Sequence, residues 1–391
     1  MRRCQDDARF SSGDAAPQSG NAIVMKNNET GPGSADAKGA LPIRSTGPTT
    51  KTVTVQGIGV ADMAVQSDAM EAAGPYDRAK ALNAFKLGDV TFYWITRACA
   101  ISVLLILGGI ILSLIAGAWP AIQQYGLAFL WTARWAPSAD PPVLGALGPM
   151  YGTLVTSFIA MLIAIPVGLG IAIFLTELCP QWLRRPIGIA IELLAGIPSI
   201  IYGMWGFFVL GPFLAYTFQP FMIGLFENVP VLGSIFGGPP SYLSLFNAAL
   251  ILAIMVLPFI TAISVDVFKT VPPVLKEAAY GVGCTTWEVV RNVVIPYTRV
   301  GVIGGIMLAL GRALGETMAV TFIIGNSFRI SSSIFAPGTT ISAAIASEFA
   351  ESDGLHQSGL ILLGLLLFVL TFFVLAAARL MLMRLEKKAG N

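Results

Sequence analysis

Histidine, cysteine and charged residues are all scarce in this chain of 391 residues. His356 is the only histidine, and we interpret it as a solvated loop residue. The four cysteines, Cys4, Cys99, Cys179 and Cys284, lie far apart, so neither a disulfide framework nor a zinc site is indicated. A net charge of +2 is too small to suggest nucleic-acid binding. Paired carboxylates, a nucleophile dyad and a metal-binding cluster are also lacking, which argues against an enzyme.

Apolar residues, in contrast, are abundant. They make up 55% of the chain, the mean hydropathy is +0.74, and uncharged runs longer than 25 residues recur from Ala98 onward. A membrane-spanning helix needs about 20 apolar residues. We therefore predict an all-α, polytopic transmembrane helical bundle with six spans, at about 94–118, 151–176, 187–211, 243–267, 298–325 and 359–382.

Composition divides the chain into two parts. Residues 1–75 are rich in Gly, Ser, Pro, Ala, Asp and Asn and have no sustained apolar period, which predicts a disordered tail. Residues 76–391 are predicted to form the single transmembrane domain. Basic residues spaced among apolar ones from Tyr76 to Val90 favour a short interfacial helix before the first span.

The distribution of basic residues predicts the orientation in the membrane, because cytoplasmic loops accumulate Lys and Arg. Basic residues concentrate in the segments 1–86, 177–186, 269–297 and 379–388. The loops of the opposite side hold only Arg134 and Arg329. Both termini, and with them the predicted tail, are therefore expected on the cytoplasmic side.

The predicted outer loops are long and aromatic, with Trp131, Trp135, Phe226, Phe236 and Tyr242 among glycines and prolines. These side chains could cap the outer mouth or dock an extracytoplasmic partner, or they could form an ordinary aromatic belt at the interface. Residues 339–352 predict a short amphipathic helix in the last of these loops, which could also contact a partner.

Residues 272–295, which we call the capped block, follow the fourth predicted span. Pro272 and Pro273 favour a helix start, because the backbone N–H that proline lacks would have no intrahelical hydrogen-bond partner in the first turn. A two-turn helix is predicted from Val274 to Tyr280. Gly281 and Gly283 then allow a sharp change of direction.

A second helix is predicted after this turn. Thr285 and Glu288 have the spacing of a capping box, in which each side chain satisfies the other residue's backbone N–H. We expect the helix to run to Ile295 and Pro296 to mark the start of the fifth span. The residues alone leave two interpretations open, a merely structural loop or a rigid protrusion that contacts another protein.

A resemblance favours the second interpretation. A pattern within and just after the capped block resembles the EAA loop of type I ABC importer permeases. It consists of Glu277-Ala278-Ala279, then Gly283, then Val293-Val294-Ile295-Pro296. The resemblance implies the fold of those permeases and a coupling helix seated on an ATPase subunit. Glu277 would meet the ATPase, Ala278 and Ala279 would allow close approach, and Gly283 would provide the bend.

The chain contains no GxxxxGK[ST] phosphate loop, so ATP and Mg²⁺ are expected on a partner chain and no cofactor on this one.

Arg312 and Glu316 interrupt the otherwise apolar fifth span, four residues apart and near the membrane midplane. On one helix face they could neutralise each other and lock the helix packing. Alternatively, Arg312 could offer its planar fork of donors to a tetrahedral oxyanion, while Glu316 accepts the proton of hydrogen phosphate. The residues alone do not decide between these two roles.

Two further charges are interpreted as structural. Glu192 is placed early in the third span and is expected to pair with Arg184 or Arg185. Asp266 ends the fourth span beside Lys269, with which we expect it to pair.

The run from Gly311 to Val320, GRALGETMAV, followed by Gly325-Asn326, resembles the fifth-span signature of PstC-type permeases of bacterial phosphate ABC importers. The resemblance extends over about residues 86–385. It implies that Arg312 and Glu316, with Thr317 of the same motif, act in phosphate passage. It also implies an inner-membrane location, a second homologous permease subunit, an ABC ATPase dimer and an extracytoplasmic phosphate-binding protein.

The alternatives to a phosphate importer are a permease for another oxyanion, such as sulfate or molybdate, and an ATP-independent anion channel or carrier.

Overall fold

The computed structural model describes residues 75–389, with side chains described for residues 88–380 and 382–384. The predicted disordered tail, residues 1–75, lies outside the described residues except for Pro75. Contacts divide the chain into two units, residues 1–103 and 104–391. The described part of the first unit is the N-terminal portion of one long helix. The second unit holds all other described elements.

The described residues are helical, apart from loops, turns and an isolated bridge between Ala136 and Val143. The helices are α1 (Pro75–Tyr125), α2 (Ala128–Trp131), α3 (Leu147–Ile173), α4 (Gln181–Ala195), α5 (Ser199–Trp205), α6 (Gly211–Phe213), α7 (Gln219–Phe226), α8 (Pro230–Phe236), α9 (Leu245–Lys269), α10 (Pro273–Gly281), α11 (Thr286–Val289), α12 (Ile295–Gly315), α13 (Met318–Ile324), α14 (Ile341–Glu348) and α15 (Gly354–Ala389). Four π-helical segments, Phe174–Leu178, Gly206–Leu210, Leu214–Phe218 and Val290–Val294, continue or join these helices, and a 3₁₀ turn, Phe349–Glu351, follows α14.

Six helical segments are long and apolar enough to cross a membrane. They are Gly88–Tyr125, Leu147–Leu178, Ser199–Phe226, Leu245–Lys269, Thr286–Gly315 and Gly354–Arg384. The predicted all-α, six-span architecture is therefore confirmed. The predicted bounds of the first, second, fourth and sixth spans all fall within or close to these segments.

The predicted interfacial helix is not a separate element. Helix α1 runs without interruption from Pro75 to Tyr125, so the segment after Tyr76 is its N-terminal part. Gly88 and Asp89 do not end the helix. A single glycine costs only about 1 kcal/mol relative to alanine in a helix, which a long apolar helix can tolerate.

The predicted third span, 187–211, is wrong in its position. The chain leaves the helical conformation after Ala195 and starts a new helix at Ser199, with Pro198 as its N-cap at φ −57° and ψ 135°. Proline disfavours the helical conformation of the residue before it, here Ile197. The spanning segment is Ser199–Phe226, and α4 is a separate amphipathic helix.

The predicted boundary at Pro296 is also wrong. The second helix of the capped block begins at Thr286 and continues through the π-helical Val290–Val294 into α12, so it is the start of the fifth span. Pro296 lies in the first turn of α12. A π turn just before a proline accommodates the missing N–H without ending the helix.

Helix α9 lies at the centre of the second unit. Side chains along it, including Ala248, Ile251, Leu252 and Val256, are fully or almost fully buried. Its neighbours α3, α12 and α13 complete one apolar cluster with it. Helix α3 contributes small residues to this contact, Ala160, Ala164 and Gly168. Small side chains allow the close helix approach on which packing in a membrane depends.

The short helix predicted within 339–352 is confirmed as α14. Thr340 caps it by accepting a hydrogen bond from the Ala343 N–H, and the Ile341 N–H donates to Thr153 Oγ1 on α3 at 2.9 Å. Ile341, Ala343 and Ala344 are fully buried against α3 and α15. This helix is therefore part of the packed interior of the second unit.

His356 is not a solvated loop histidine. It lies in the first turn of α15, with its side chain 19% exposed and Nε2 2.9 Å from Glu348 Oε2. The same carboxylate oxygen accepts a hydrogen bond from Trp135 Nε1 at 2.8 Å, and Trp135 stacks on Phe328. The fold brings together three residues from separate segments, which the position of His356 in the sequence did not indicate.

The two charges interpreted as structural have different outcomes. Lys269 and Asp266 form the expected ion pair, 3.2 Å apart on the surface. Glu192 lies exposed on α4 and has no ion-pair partner among the described residues, so the predicted pair with Arg184 or Arg185 is wrong. Arg184 instead donates to the backbone oxygens of Thr176 and Cys179.

Replacing Gly152 by alanine is expected to destabilise the protein. A Cβ atom there would lie far inside the van der Waals contact distance of the Thr339 carbonyl oxygen, which belongs to the backbone. Overpacking of this kind typically costs about 1–3 kcal/mol. Gly170→Ala on the same helix is the control, since a Cβ there meets no described atom within 4 Å. We expect a lower thermal unfolding midpoint of the purified complex for Gly152→Ala alone, and equal midpoints would contradict the close approach.

Candidate functional site

The capped block begins as predicted. Pro272 is the N-cap of α10, Pro273 is its first residue, and the helix ends at Gly281. Gly283 adopts φ +93°, a left-handed conformation that side chains with a Cβ rarely take. The predicted bend at Gly283 is confirmed.

The predicted capping box is also present. The Thr285 N–H donates to Glu288 Oε2 at 2.8 Å, and the Glu288 N–H donates to Thr285 Oγ1 at 3.4 Å. Two backbone donors at the start of α11 are thereby satisfied within the block itself. The turn between α10 and α11 is thus fixed by its own sequence.

Helix α10 has two different faces. One face, which we call the docking face, consists of exposed residues, namely Val274, Leu275, Glu277, Ala278 and Tyr280. Val282 and Trp287 beside it are 70% and 64% exposed. Large apolar side chains around a single carboxylate are typical of a surface that another protein covers.

The opposite face of α10 packs inward. Ala279 lies against a buried cluster formed by Ala172, Phe268, Val271, Val289 and Val294. Of the two alanines of the EAA motif, only Ala278 therefore shares the docking face with Glu277. Alanine at 279 allows α10 to lie close to the membrane-spanning helices instead.

Lys276 lies on the same inward face and forms an ion pair that the sequence did not reveal. Its Nζ is 2.6 Å from Glu177 Oε1, and the two side chains are 21% and 6% exposed. Glu177 belongs to the π-helical segment that ends α3. The two residues are 99 positions apart, and no local pattern connects them.

The charged site lies at an interruption of the fifth span. Helix α12 ends at Gly315, Glu316 is extended with ψ 132°, and α13 starts at Met318. Arg312 and Glu316 are therefore not neighbours on a continuous helix face. Within residues 75–389 they form no ion pair, so their interpretation as a mutually neutralising pair is wrong.

Arg312 has an aromatic contact in place of an acidic one. The guanidinium carbon lies 4.3 Å from the centre of the Phe259 ring on α9. In a cation–π contact the ring face attracts the charge of the guanidinium. Among the described residues no hydrogen bond uses its N–H donors, so they remain available to a planar or tetrahedral acceptor.

Three carbonyl oxygens at the interruption accept hydrogen bonds from side-chain hydroxyl groups. Ser342 Oγ on α14 donates to the Glu316 carbonyl oxygen at 2.7 Å, and Thr321 Oγ1 donates to the Thr317 carbonyl oxygen at 2.7 Å. Thr317 Oγ1 donates to the Gly315 carbonyl oxygen at 3.3 Å. Non-helical backbone at membrane depth persists only where such partners exist. The fold therefore stabilises the interruption, which consists of Glu316 and Thr317 and follows the turn that carries Arg312.

A cavity of about 760 Å³ lies apart from the charged site. It is bordered by the C-terminal end of α3 and by helices α4, α9 and α10. Its walls include Glu177 and Lys276 together with Arg184, Arg185 and Glu192. Arg312 and Glu316 do not line it. The cavity therefore belongs to the surroundings of the capped block and not to the charged site.

Comparison with known proteins places these features in a family. A family model described as "Binding-protein-dependent transport system inner membrane component" matches residues 164–387. A relative from Mesorhizobium japonicum, "Phosphate transport system permease protein PstC", is 61% identical over 307 residues, which cover 78% of this chain and 93% of the relative. The protein of the same name from Pasteurella multocida is 54% identical over 302 residues, covering 77% and 94%.

A solved structure shows the same fold. It is the bacterial alginate ABC transporter in complex with alginate pentasaccharide-bound periplasmic protein. One of its chains is similar with a TM-score of 0.52 and 16% identity, over 76% of this chain and 97% of that one. At this identity the likeness concerns the fold alone.

Six membrane-spanning helices, an exposed docking face and an interrupted charged span define a polytopic membrane transport component rather than an enzyme. The chain belongs to the family of binding-protein-dependent transport system inner membrane components and, within it, to the PstC-type permeases. The predicted permease fold of ABC importers is thereby confirmed.

Proposed function

We propose that this chain is one transmembrane subunit of an ATP-driven importer of inorganic phosphate. The observation that carries the proposal is Arg312, an arginine in the last turn before the interruption of the fifth span, held over Phe259 without an acidic partner among the described residues. A guanidinium that has no acidic partner suits a tetrahedral oxyanion, because its planar fork of donors can bind two oxygens at once. The names of the similar permeases favour phosphate as that oxyanion.

In this proposal the interrupted span supplies three groups to the passing ion. Arg312 provides a countercharge that can bind two phosphate oxygens at once. Glu316 accepts a hydrogen bond from the hydroxyl group of hydrogen phosphate, which fully ionised sulfate lacks, and the Thr317 hydroxyl adds a neutral polar group. A single guanidinium suits a transport pathway, because an ion that is held too tightly would not be released.

The partners follow from the family and from the docking face. We propose that a second homologous permease subunit completes the pathway and that an ABC ATPase dimer, which carries ATP and Mg²⁺, receives α10. An extracytoplasmic phosphate-binding protein would deliver the ion. The distribution of Lys and Arg supports an inner-membrane location with both termini and the capped block on the cytoplasmic side.

The proposal is tested by reconstituting the complete complex in proteoliposomes with its binding protein. We expect radiolabelled phosphate to accumulate only when ATP is present, and phosphate to stimulate ATP hydrolysis more than sulfate or molybdate does. Equal stimulation by sulfate would make the chain a general oxyanion permease. Uptake that is indifferent to ATP would make it a channel or carrier and would overturn the proposal.

A further inference from the structure

The ion pair between Glu177 and Lys276 links the capped block to a helix that is distant in the chain. The two charged atoms are 2.6 Å apart, and both side chains are largely buried. Burying charges is costly, and it is tolerated when the partners are close and well oriented. Among the residues whose side chains the structure describes, α10 forms no other ion pair.

The position of the pair suggests its role. Helix α10 is joined covalently to α9 through residues 270–272 and to α12 through the turn and α11, so movement of α10 reaches these helices through the backbone. Helix α3 has no such connection to α10. Its apolar contacts with the block, through Leu169, Ala172 and Ile173, can slide because they are non-directional.

We propose that Glu177 and Lys276 are positioning residues that make α3 move together with α10 during transport. The inference rests on the proposed function, because it requires α10 to be moved by an ATPase. A short charged hydrogen bond is directional, so it fixes the end of α3 relative to α10. Since α3 packs along α9, and α9 carries Phe259 beneath Arg312, the pair connects the block to the charged site.

Two local features fit this role. Glu177 lies in the π-helical turn that ends α3, so the ion pair holds the end of that helix. The cavity of about 760 Å³ borders the pair on the side of α4. Helix α10 can therefore move relative to α4 while the pair holds it to α3.

The test measures the number of phosphate ions transported per ATP hydrolysed by the reconstituted complex. Lys276→Met and Glu177→Gln each remove one charge. We expect each to lower this ratio by at least about fivefold, the lower end of typical coupling between sites, while the complex continues to hydrolyse ATP. The double variant Glu177→Lys with Lys276→Glu is expected to restore most of the ratio, and Lys276→Arg, which keeps the charge, is expected to preserve it.

The chain offers a matched control in the pair of Asp266 and Lys269, whose side chains are 78% and 62% exposed. Asp266→Asn and Lys269→Met should leave the ratio unchanged, because exposed pairs contribute little. Wild-type ratios in both single variants of the buried pair would overturn the inference. If a single variant fails to assemble, the double variant with the reversed pair, Glu177→Lys with Lys276→Glu, tests the inference instead. An assembled reversed pair with a restored ratio supports the link, and one that hydrolyses ATP without transport refutes it.

The wild-type complex separates this inference from the proposed function. If it does not couple phosphate uptake to ATP, the proposed function fails. If the wild-type complex couples uptake to ATP and both single variants couple it equally well, the proposed function stands and only the role of the ion pair fails.

Discussion

Replacing Arg312 by alanine is expected to abolish phosphate uptake while the subunit still assembles. The side chain is exposed within this chain, and its one described contact is the Phe259 ring, so the packing of α12 does not depend on it. The buried neighbours Ala313 and Leu314 provide that packing. A bidentate, charge-assisted contact with the ion would be lost, which we expect to lower uptake by about 100-fold or more.

The measurement is radiolabelled phosphate uptake by complexes matched for subunit content. Arg312→Lys should retain a small part of the activity, because lysine keeps the charge but not the planar fork. Arg299→Ala is the control, since Arg299 is another arginine on the same helix and lies near its start. Uptake by Arg312→Ala at the level of this control would remove Arg312 from the pathway.

Local features of the capped block could be predicted from the sequence because neighbouring residues determine them. The prolines at 272 and 273, the left-handed Gly283 and the capping box of Thr285 and Glu288 each act within a few positions. Their geometry needs no knowledge of the rest of the fold. The six apolar runs are visible for a similar reason, since the length of an apolar run reflects the thickness of the membrane.

The interruption after Gly315 could not be predicted in this way. A helical pattern continues through Glu316, and the helix ends where Ser342, 26 residues later, satisfies the Glu316 carbonyl oxygen. The ion pair of Glu177 with Lys276 depends on a contact across 99 residues. The predicted third span is misplaced because the apolar run extends from before Pro198 to Phe226, so hydropathy alone does not fix the start of the span.

Replacing Glu277 by arginine is expected to release the ATPase or to uncouple ATP hydrolysis from transport. Glu277 lies exposed on the docking face between Leu275 and Tyr280, and it has no ion-pair partner in the part of the chain that the structure describes. Reversing its charge leaves the fold of α10 intact but places a like charge against any basic group of the partner. Such juxtapositions cost several kcal/mol in an interface.

Co-purification of the ATPase and the ratio of transported phosphate to hydrolysed ATP measure the effect of Glu277→Arg. Glu227→Arg, which reverses an exposed glutamate far from the block in the sequence, is the control and should change neither quantity. A complex of Glu277→Arg that remains fully assembled and fully coupled would show that the docking face does not bind the ATPase through this residue.

Comparison with Lys276→Met separates the two faces of α10. Lys276 and Glu277 are adjacent in sequence, but one points to Glu177 and the other lies on the docking face. If the outer face binds the ATPase and the inner face transmits its movement, Glu277→Arg weakens attachment, whereas Lys276→Met leaves the ATPase attached and hydrolysing but lowers the amount of phosphate transported per ATP. Equal loss of attachment in both variants would mean that α10 acts as a single contact surface.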